Sequence, residues 1–179
     1  LTLTGTNTYT GNTTINTGLI VSGSGSLAGS YAGNILNNGA LTYQSSVAQS
    51  LFGVISGTGS NILNSAIGLN LENTNTYSGG TYVNQGTLSM YSSVASIGSG
   101  PVILGASGYS GAVSLVSGVS GIFTNALTVN PGGRREFYTG GAPVCNWAGL
   151  ITLVGGATFE FGPNGNSSQT ISGGTAGNG

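Results

Sequence analysis

Any chemistry performed by this chain would depend on very few side chains. Only five of its 179 residues carry a charge, and these are Glu72, Glu136, Glu160, Arg134 and Arg135. Acid–base chemistry on sugars usually needs two carboxylates at a set separation, and a Ser-His-Asp triad is excluded because His and Asp are absent. Glu136 follows the two arginines, which favours a local ion pair, and Glu160 alternates with Phe159 and Phe161, which predicts an outward side chain. We therefore expect no enzymatic activity.

Metal ions, cofactors and nucleic acid are not expected as partners either. Cys145 is the only cysteine, so an internal disulfide and a thiolate metal site are excluded. We expect a small buried side chain at this position, with an intermolecular bridge as the alternative. Calcium-binding β-roll repeats need Asp, and two arginines are too few for a nucleic-acid-binding face. No apolar run approaches the ~18–20 residues that span a bilayer, so we expect no membrane insertion by this segment.

Two kinds of side chain are candidates for modification or recognition. Asn12 and Asn166 begin Asn-x-Ser/Thr sequences, the acceptor pattern for N-glycosylation, although chance matches are expected in a chain this rich in Asn, Ser and Thr. Tyr9 and Tyr77 could form an exposed aromatic column that stacks on sugar rings, or each could shield the corner of its own coil from water, which is the commoner arrangement. Trp147 has the same two interpretations.

The elements that would position these residues are indicated by an internal repeat. Residues 1–18, LTLTGTNTYTGNTTINTG, align without a gap to residues 69–86, LNLENTNTYSGGTYVNQG, and agree at ten of eighteen positions. Each copy contains a short alternating strand, a polar corner, a second strand and a third apolar run. The predicted corner residues are Asn7, Tyr9 and Gly11 in the first copy and Asn75, Tyr77 and Gly79 in the second. A strand-turn-strand phrase that recurs is typical of a solenoid, whose units bury their apolar faces by stacking.

The phrase resembles the autotransporter-associated β-strand repeat, which occurs in passenger regions of secreted bacterial surface proteins and in very long exported proteins. The match is close over residues 1–22 and 69–91, and residues 33–41 and 53–59 are similar in style. The resemblance implies a right-handed parallel β-helix that is exported, with a stalk, scaffold or adhesive role and no catalytic residues. The second copy departs from the usual pattern at Glu72, where a turn residue is more typical.

Composition and periodicity agree with an ordered all-β solenoid. The chain is 38% hydrophobic with a net charge of −1, whereas disordered chains are usually poor in apolar residues and highly charged. Apolar residues do not recur at helical spacing, so we predict no long helix. We interpret residues 22–33 as a loop and 37–39 as a tight turn that uses positive φ. Beyond the two copies, the predicted strands are Asn34–Leu36, Ala40–Tyr43, Phe52–Ile55, a strand around Ile62, Val102–Leu104, Val113–Val116, Ile122–Phe123, Leu127–Val129, Glu136–Tyr138, Leu150–Val154, Thr158–Phe161 and Gln169–Ile171.

A β-sandwich is the main structural alternative, because short strands with Gly-rich turns also suit it. A sandwich has no reason to repeat an eighteen-residue phrase, whereas in a solenoid equivalent corners stack on one another. The two copies begin 68 residues apart, at Leu1 and Leu69, which corresponds to about three coils of roughly 20–30 residues. We therefore predict one solenoid over residues 1–179 with about six to eight coils, and Asn ladders along its axis.

The ends of the chain suggest assembly with itself. The sequence begins at Leu1 without Met, so we expect a mature product, a processed piece or a segment of something longer. Continued directly into Leu1, residues 171–179 resemble the internal passage that precedes Leu69. We expect end-to-end contacts through Leu1, Leu3 and Ile171, either between stacked copies or in a tandem array. The expected function is that of an extracellular or cell-surface structural fibre, and the alternative is a glycan-binding adhesin segment that uses exposed tyrosines.

Overall fold

The computed structural model describes residues 1–93, 95–140, 144–163, 168–171 and 173–177. These residues form 23 short β-strands and no helix. In chain order the strands are β1 (Thr2–Leu3), β2 (Thr6–Asn7), β3 (Thr13–Ile15), β4 (Gly18–Gly23), β5 (Ser26–Leu27), β6 (Ser30–Tyr31), β7 (Ile35–Asn37), β8 (Ala40–Ser45), β9 (Gln49–Leu51), β10 (Ile55–Ser56), β11 (Ser60–Asn64), β12 (Leu69–Leu71), β13 (Thr81–Met90), β14 (Val102–Leu104), β15 (Val113–Ser117), β16 (Gly121–Phe123), β17 (Leu127–Val129), β18 (Arg135–Thr139), β19 (Val144–Trp147), β20 (Ile151–Leu153), β21 (Glu160–Pro163), β22 (Ser168–Ile171) and β23 (Thr175–Gly177).

The chain winds around three faces, and the strands on each face pair in parallel. The first face stacks nine strands in the order β1-β4-β8-β11-β13-β14-β17-β20-β23, and the second stacks β6-β9-β12-β13-β15-β18-β21. The third face consists of β3-β7-β10 and, further along the axis, β16-β19-β22. The windings number about seven to eight, so the predicted parallel β-solenoid is confirmed and the sandwich is excluded. The right-handed sense of the winding stays a prediction.

The alternation of side chains along each strand determines which residues form the core. On the first face Val21, Tyr43, Leu63 and Val83 stack in register on successive windings, and each is at most 2% exposed. The residues before them, such as Ile20, point outward. Because parallel strands stay in register, an inward residue always lies on an inward residue of the next winding.

The windings become wider towards the end of the chain. From β8 to β11 the register advances by 20 residues, from Leu41 to Asn61, whereas from β14 to β17 it advances by 25. Aromatic rings fill the larger interior, because cores pack to nearly crystalline density. Rings of successive windings stack with centroids 5.3 Å apart for Phe123 and Trp147 and 5.2 Å apart for Phe137 and Phe161.

Glycines form a column at the corner where the third face turns into the first. A Cβ at Gly39 would lie 1.9 Å from the carbonyl oxygen of Thr17, and a Cβ at Gly59 would lie 2.3 Å from that of Gly39. Gly79 continues the column over Gly59. None of the three has a positive φ. Glycine is needed here because each backbone closely approaches the carbonyl groups of the winding beneath it.

The turn predicted at residues 37–39 is present, but the reason given for it is wrong. Neither Asn37, Asn38 nor Gly39 has a positive φ. The buried amide of Asn37 accepts a hydrogen bond from the Gly39 N–H (3.1 Å) and donates one to the carbonyl of Ser60 in the next winding (2.9 Å). The turn is therefore fixed by a side chain that connects two windings.

Two of the strand predictions are corrected by the structure. The predicted loop at residues 22–33 contains β5 and β6, whose apolar residues Leu27 and Tyr31 are each 1% exposed. Of the predicted strand Phe52–Ile55 only Ile55 lies in a strand, β10; residues 52–54 form the corner after β9, and Phe52 is 45% exposed. Strands of two or three residues are too short to show alternation, so single apolar residues among Gly and Ser gave no strand signal.

Candidate functional site

The asparagine of the repeat corner makes the same pair of hydrogen bonds in both copies. Its Nδ2 donates to the carbonyl two residues earlier and to a carbonyl in the next winding. The partners are Gly5 (2.9 Å) and Ser26 (3.0 Å) for Asn7, and Asn73 (2.9 Å) and Ser96 (2.7 Å) for Asn75. Each asparagine therefore fixes its own corner and attaches it to the following winding.

The tyrosines of the two corners have the same local contact but very different exposure. The hydroxyl of each tyrosine lies near the threonine four residues later, at 3.3 Å for Tyr9 and Thr13 and 2.7 Å for Tyr77 and Thr81. Tyr9 is 39% exposed, whereas Tyr77 is fully buried and lies beneath Gly98. Burial raises the pKa of Tyr77. The two rings do not form the exposed column considered from the sequence.

The two copies begin on different faces of the solenoid. The strand of Leu1 and Leu3 belongs to the first face, and Thr2 pairs with Ile20 of the same copy. The strand of Leu69 belongs to the second face and pairs with Leu88 of its own copy. Each copy therefore closes one full winding on itself, and the copies lie three windings and one face apart. The copies are therefore not separated by a whole number of windings as expected, and their corners do not lie in one column.

The corner glycines differ accordingly in their surroundings. A Cβ at Gly11 would meet no atom within 4 Å, whereas a Cβ at Gly79 would lie 2.5 Å from the carbonyl carbon and oxygen of Gly59. The carbonyl of Gly11 accepts a hydrogen bond from the Tyr31 hydroxyl of the next winding. The equivalent glycines Gly11 and Gly79 therefore have different surroundings. Among the described residues, only the corner of the second copy has a winding beneath it.

The residues expected at the ends lie on different faces. Leu1 is 82% exposed, and its amino group donates a hydrogen bond to the carbonyl of Gly18 (3.1 Å). Leu3, partly buried, packs against the core from the first face. Ile171 belongs to β22 on the third face, where it pairs with Trp147.

Of the two glycosylation candidates, one can be placed. Asn12 is exposed, and its Oδ1 accepts a hydrogen bond from the Asn34 N–H of the next winding (2.9 Å). Asn166 lies outside the described residues. The predicted ladder between asparagines occurs where Asn84 donates to the Oδ1 of Asn64 (2.6 Å).

Charged side chains cluster on the second face. Glu136 and Glu160 pair in register on adjacent strands, and Arg134 contacts both, at 2.8 Å from Glu136 Oε2 and 2.7 Å from Glu160 Oε2. Ser114 donates a further hydrogen bond to Glu136 (2.5 Å). Hydrogen bonding to Glu160 and the charge of Glu136 raise the pKa of Arg134. The predicted ion pair and the outward orientation of Glu160 are confirmed, and Arg134 offsets the repulsion between two stacked carboxylates.

Arg135 is a buried cation that sequence reasoning missed. It is 1% exposed, and its guanidinium donates to the carbonyls of Gly111 and Tyr109, each at 2.6 Å. Desolvation lowers its pKa. Its neighbour Arg134 is exposed, and no periodic signal distinguishes the two, because the corner glycine Gly132 redirects the chain just before them.

Glu72 also has a structural partner. Its carboxylate accepts a hydrogen bond from the backbone N–H of Ser92 in the next winding (3.0 Å). Cys145 and Trp147 are both fully buried, as expected for the cysteine, and burial raises the pKa of the thiol. Trp147 donates to the carbonyl of Asn125 (3.0 Å) and packs on aromatic rings, so it presents no surface for recognition.

A metal-ion site and a membrane-spanning helix are both absent from the described ranges. No group of three His, Cys, Asp or Glu residues is placed to hold a metal ion in that part of the chain. Nor does that part contain a helix with the length and apolarity that crossing a membrane requires.

Comparison with known proteins identifies the repeat. Residues 1–21 and 69–90 match the passenger-associated-transport-repeat. The resemblance stated from the sequence is therefore confirmed: the chain carries two copies of this repeat, which together make up about a quarter of its length. No curated protein and no solved structure matches the chain.

Proposed function

We propose that this chain is a stiff, nearly uncharged stalk segment of an exported surface protein, in which solenoid windings follow one another along one axis. The observation that carries the proposal is that each repeat copy closes one winding on itself, with Thr2 paired to Ile20 and Leu69 to Leu88. Such a repeat adds one winding to the rod, whichever face it begins on. The two passenger-associated-transport-repeats support export to the cell surface.

Stiffness follows from the continuous backbone ladder of the first face. Its nine strands, about 4.8 Å apart, extend roughly 40 Å along the axis. Corner side chains such as Asn7, Asn37 and Asn75 connect each winding to the next. Bending the rod would stretch the ladder and these bonds together.

Near-neutrality suits this architecture. Unit charges stacked at strand spacing repel each other by about 1 kcal/mol even in water. The one place where carboxylates stack, Glu136 on Glu160, has Arg134 bound to both. A surface of Ser, Thr and Asn keeps long stacks soluble without that repulsion.

We propose that a second copy of the chain, or further repeats in tandem, continues the rod. With the faces aligned, β1 of a second copy extends the first-face ladder beyond β23, and β3 extends the third face beyond β22. Leu1 and Leu3 then contact residues 175–177, and the strand of Ile171 pairs with residues 13–15. Head-to-tail contacts of this kind do not close and therefore give filaments.

Electron microscopy and sedimentation of the purified chain, together with a fusion of two copies in one polypeptide, test this function. We expect rods of roughly 40 Å per copy whose length increases with protein concentration. The fusion should form a rod of twice that length. Compact isolated monomers at micromolar concentration would contradict end-to-end stacking. A fusion that forms two separate compact bodies would contradict the stalk itself.

Adhesion is the second candidate, and an exposed tyrosine favours it. Tyr91 is 52% exposed and lies across Gly118, where a Cβ would approach its ring to 2.7 Å. An exposed aromatic ring that packs against backbone is able to stack on a sugar. A glycan array with the unmodified chain and with Tyr91→Ala tests this, with Tyr9→Ala as the control. Binding that Tyr91→Ala abolishes would make the segment an adhesin.

We also propose that the carboxylates have structural roles only. Glu72 binds a backbone N–H and Glu136 an arginine and a serine. A panel of polysaccharides should remain uncleaved. Cleavage that disappears in Glu136→Gln or Glu160→Gln while the melting temperature is unchanged would refute this.

A further inference from the structure

The third face is interrupted near the middle of the solenoid. Its lower part ends at an isolated bridge between Thr74 and Ser96, and its upper part begins at β16. Among the described residues no ladder connects residues 95–99 to β16. Between residues 95–99 and 119–125 lies an open cleft of about 460 Å³, here called the third-face groove.

The upper wall of this groove is a β-sheet edge to which no other strand of the described structure pairs. β16 is the outermost strand of the order β16-β19-β22. The carbonyl of Phe123 accepts a hydrogen bond from the Ala148 N–H (2.8 Å), so the backbone groups of Phe123 face away from the groove. Because successive residues of a strand direct their polar groups to opposite sides, the N–H and C=O of Ile122 face the groove. The Ile122 side chain is 69% exposed.

The lining of the groove is uncharged and partly apolar. Ile97 and Phe123 contribute buried side chains, 5% and 7% exposed. Asn125 closes one end of the groove by donating hydrogen bonds to the carbonyls of Gly98 (2.8 Å) and Gly100 (2.6 Å). Hydroxyl groups surround this floor, from Ser96, Ser99, Ser120 and Thr124.

We propose that the third-face groove binds an uncharged peptide in extended conformation, which adds a strand to the free edge of β16. A peptide backbone presents N–H and C=O groups at the spacing of the edge it joins, and it would continue the ladder already formed by β16, β19 and β22. Sugar hydroxyls lack that spacing. A charged side chain would lose hydration without gaining a charged partner in this lining, so an uncharged sequence is preferred.

The chain itself indicates which sequence suits this position. β7 lies on the third face with β3 on one side and β10 on the other, paired in parallel with both. A strand bound in the groove would likewise lie between two third-face segments. The peptide Gly33–Gly39, GNILNNG, is therefore a reasonable probe.

Fluorescence anisotropy with this labelled peptide and the full chain tests the proposal. Ile122→Pro removes the N–H that faces the groove and leaves the bonds of its neighbours to β19 in place. Ile122→Ala keeps the N–H and removes the exposed side chain. The expected result is saturable binding to the unmodified chain, at least about tenfold weaker binding to Ile122→Pro and a change below about threefold for Ile122→Ala.

A second measurement covers the case in which the proline variant fails to fold. Hydrogen exchange of the Ile122 amide in the unmodified chain should slow on addition of the peptide, and should not slow with the same peptide carrying Leu36→Pro. Absence of saturable binding would overturn the proposal, as would equal affinity of Ile122→Pro. Displacement of the peptide by cellopentaose, which binds Ile122→Pro as well as the unmodified chain, would make the groove a sugar site instead.

Discussion

At the scale of single residues, polar side chains inside this solenoid connect windings, and Asn61 departs from that rule. It lies in an inward column between Leu41 and Thr81 and is 6% exposed. Among the described residues its amide nitrogen and oxygen make no hydrogen bond of normal geometry, although the amide interacts with the buried Tyr77 hydroxyl. A cavity of about 10 Å³, half of whose lining residues are leucines, adjoins it. An unsatisfied buried amide destabilises the folded state.

Replacement of Asn61 by leucine should therefore stabilise the protein. Asn61→Leu removes the unsatisfied amide and matches the apolar column, so the free energy of unfolding should rise by about 1–3 kcal/mol in urea titrations. Asn37→Leu is the control, because Asn37 is also buried but hydrogen-bonded across two windings, and its loss should destabilise. A lower stability of Asn61→Leu would contradict this and would mean that the interaction of the amide with the Tyr77 hydroxyl stabilises the folded state.

Tyr77 should make stability dependent on alkaline pH. Burial raises its pKa above the value near 10 of an exposed phenol, so the phenol ionises first in the unfolded chain. The contribution of the neutral Tyr77 phenol to the stability of the fold is complete below about pH 10. It is lost as the pH rises through the pKa of Tyr77 in the folded state. In Tyr77→Phe, the melting temperature should fall less steeply above pH 10 than in the unmodified chain.

Tyr9→Phe provides the matched control for that measurement, because it makes the same change at the equivalent but exposed position. Tyr9→Phe should change the alkaline fall of the melting temperature less than Tyr77→Phe does. Burial also raises the pKa of Tyr31 and Tyr43, so some alkaline destabilisation remains in Tyr77→Phe. Equal slopes in Tyr77→Phe and Tyr9→Phe would contradict the assignment.

At the scale of elements, the corners determine how closely windings approach. The repeat supplies a glycine at the same position of both corners, yet only Gly79 lies over another winding in the described structure. Gly79→Ala should destabilise by roughly 2 kcal/mol or more, because its Cβ would overlap the backbone of Gly59. Gly11→Ala should be neutral or stabilise by about 0.4–1 kcal/mol, since its site is open and its φ is not positive. Chemical denaturation of both variants measures the difference, and similar losses would contradict it.

The sequence predicted the elements better than their arrangement. Val102–Leu104 and Leu127–Val129 coincide with β14 and β17 because three apolar residues between turn residues are a clear signal. Leu27 and Tyr31 were assigned to a loop because their strands have only two residues each. The corner asparagine was identified, but its bond to the next winding depends on which residue lies 19 to 21 positions later.

The face of the solenoid on which each repeat copy begins could not be predicted from sequence. Identity between the two copies suggested that they stack corner on corner, whereas they begin on different faces. Whether their spacing of 68 residues is a whole number of windings depends on the length of a winding. That length varies from 18 to 27 residues along the chain. The groove beside β16 is likewise invisible in the sequence, because it results from a missing pairing.

At the scale of the whole molecule, the rod should resist proteolysis. Trypsin has only two possible sites, after Arg134 and Arg135. Arg135 is buried within β18, and the side chain of Arg134 is held by two carboxylates. Trypsin should leave the native chain intact for hours and cut it between residues 134 and 136 once urea has unfolded it. Rapid cleavage without urea would show that β18 is open.

Distances between spin labels on the first face test the central claim, that successive windings lie on one another in parallel register. Thr2, Thr42, Thr128 and Thr152 occupy one outward column, and labels at pairs of these positions, in a Cys145→Ala background, can be measured by double electron–electron resonance. The account predicts about 19 Å for 42–128, 24 Å for 42–152, 29 Å for 2–128 and 34 Å for 2–152, a rise of about 4.8 Å per winding. Distances that do not increase by one strand spacing per winding would contradict the solenoid.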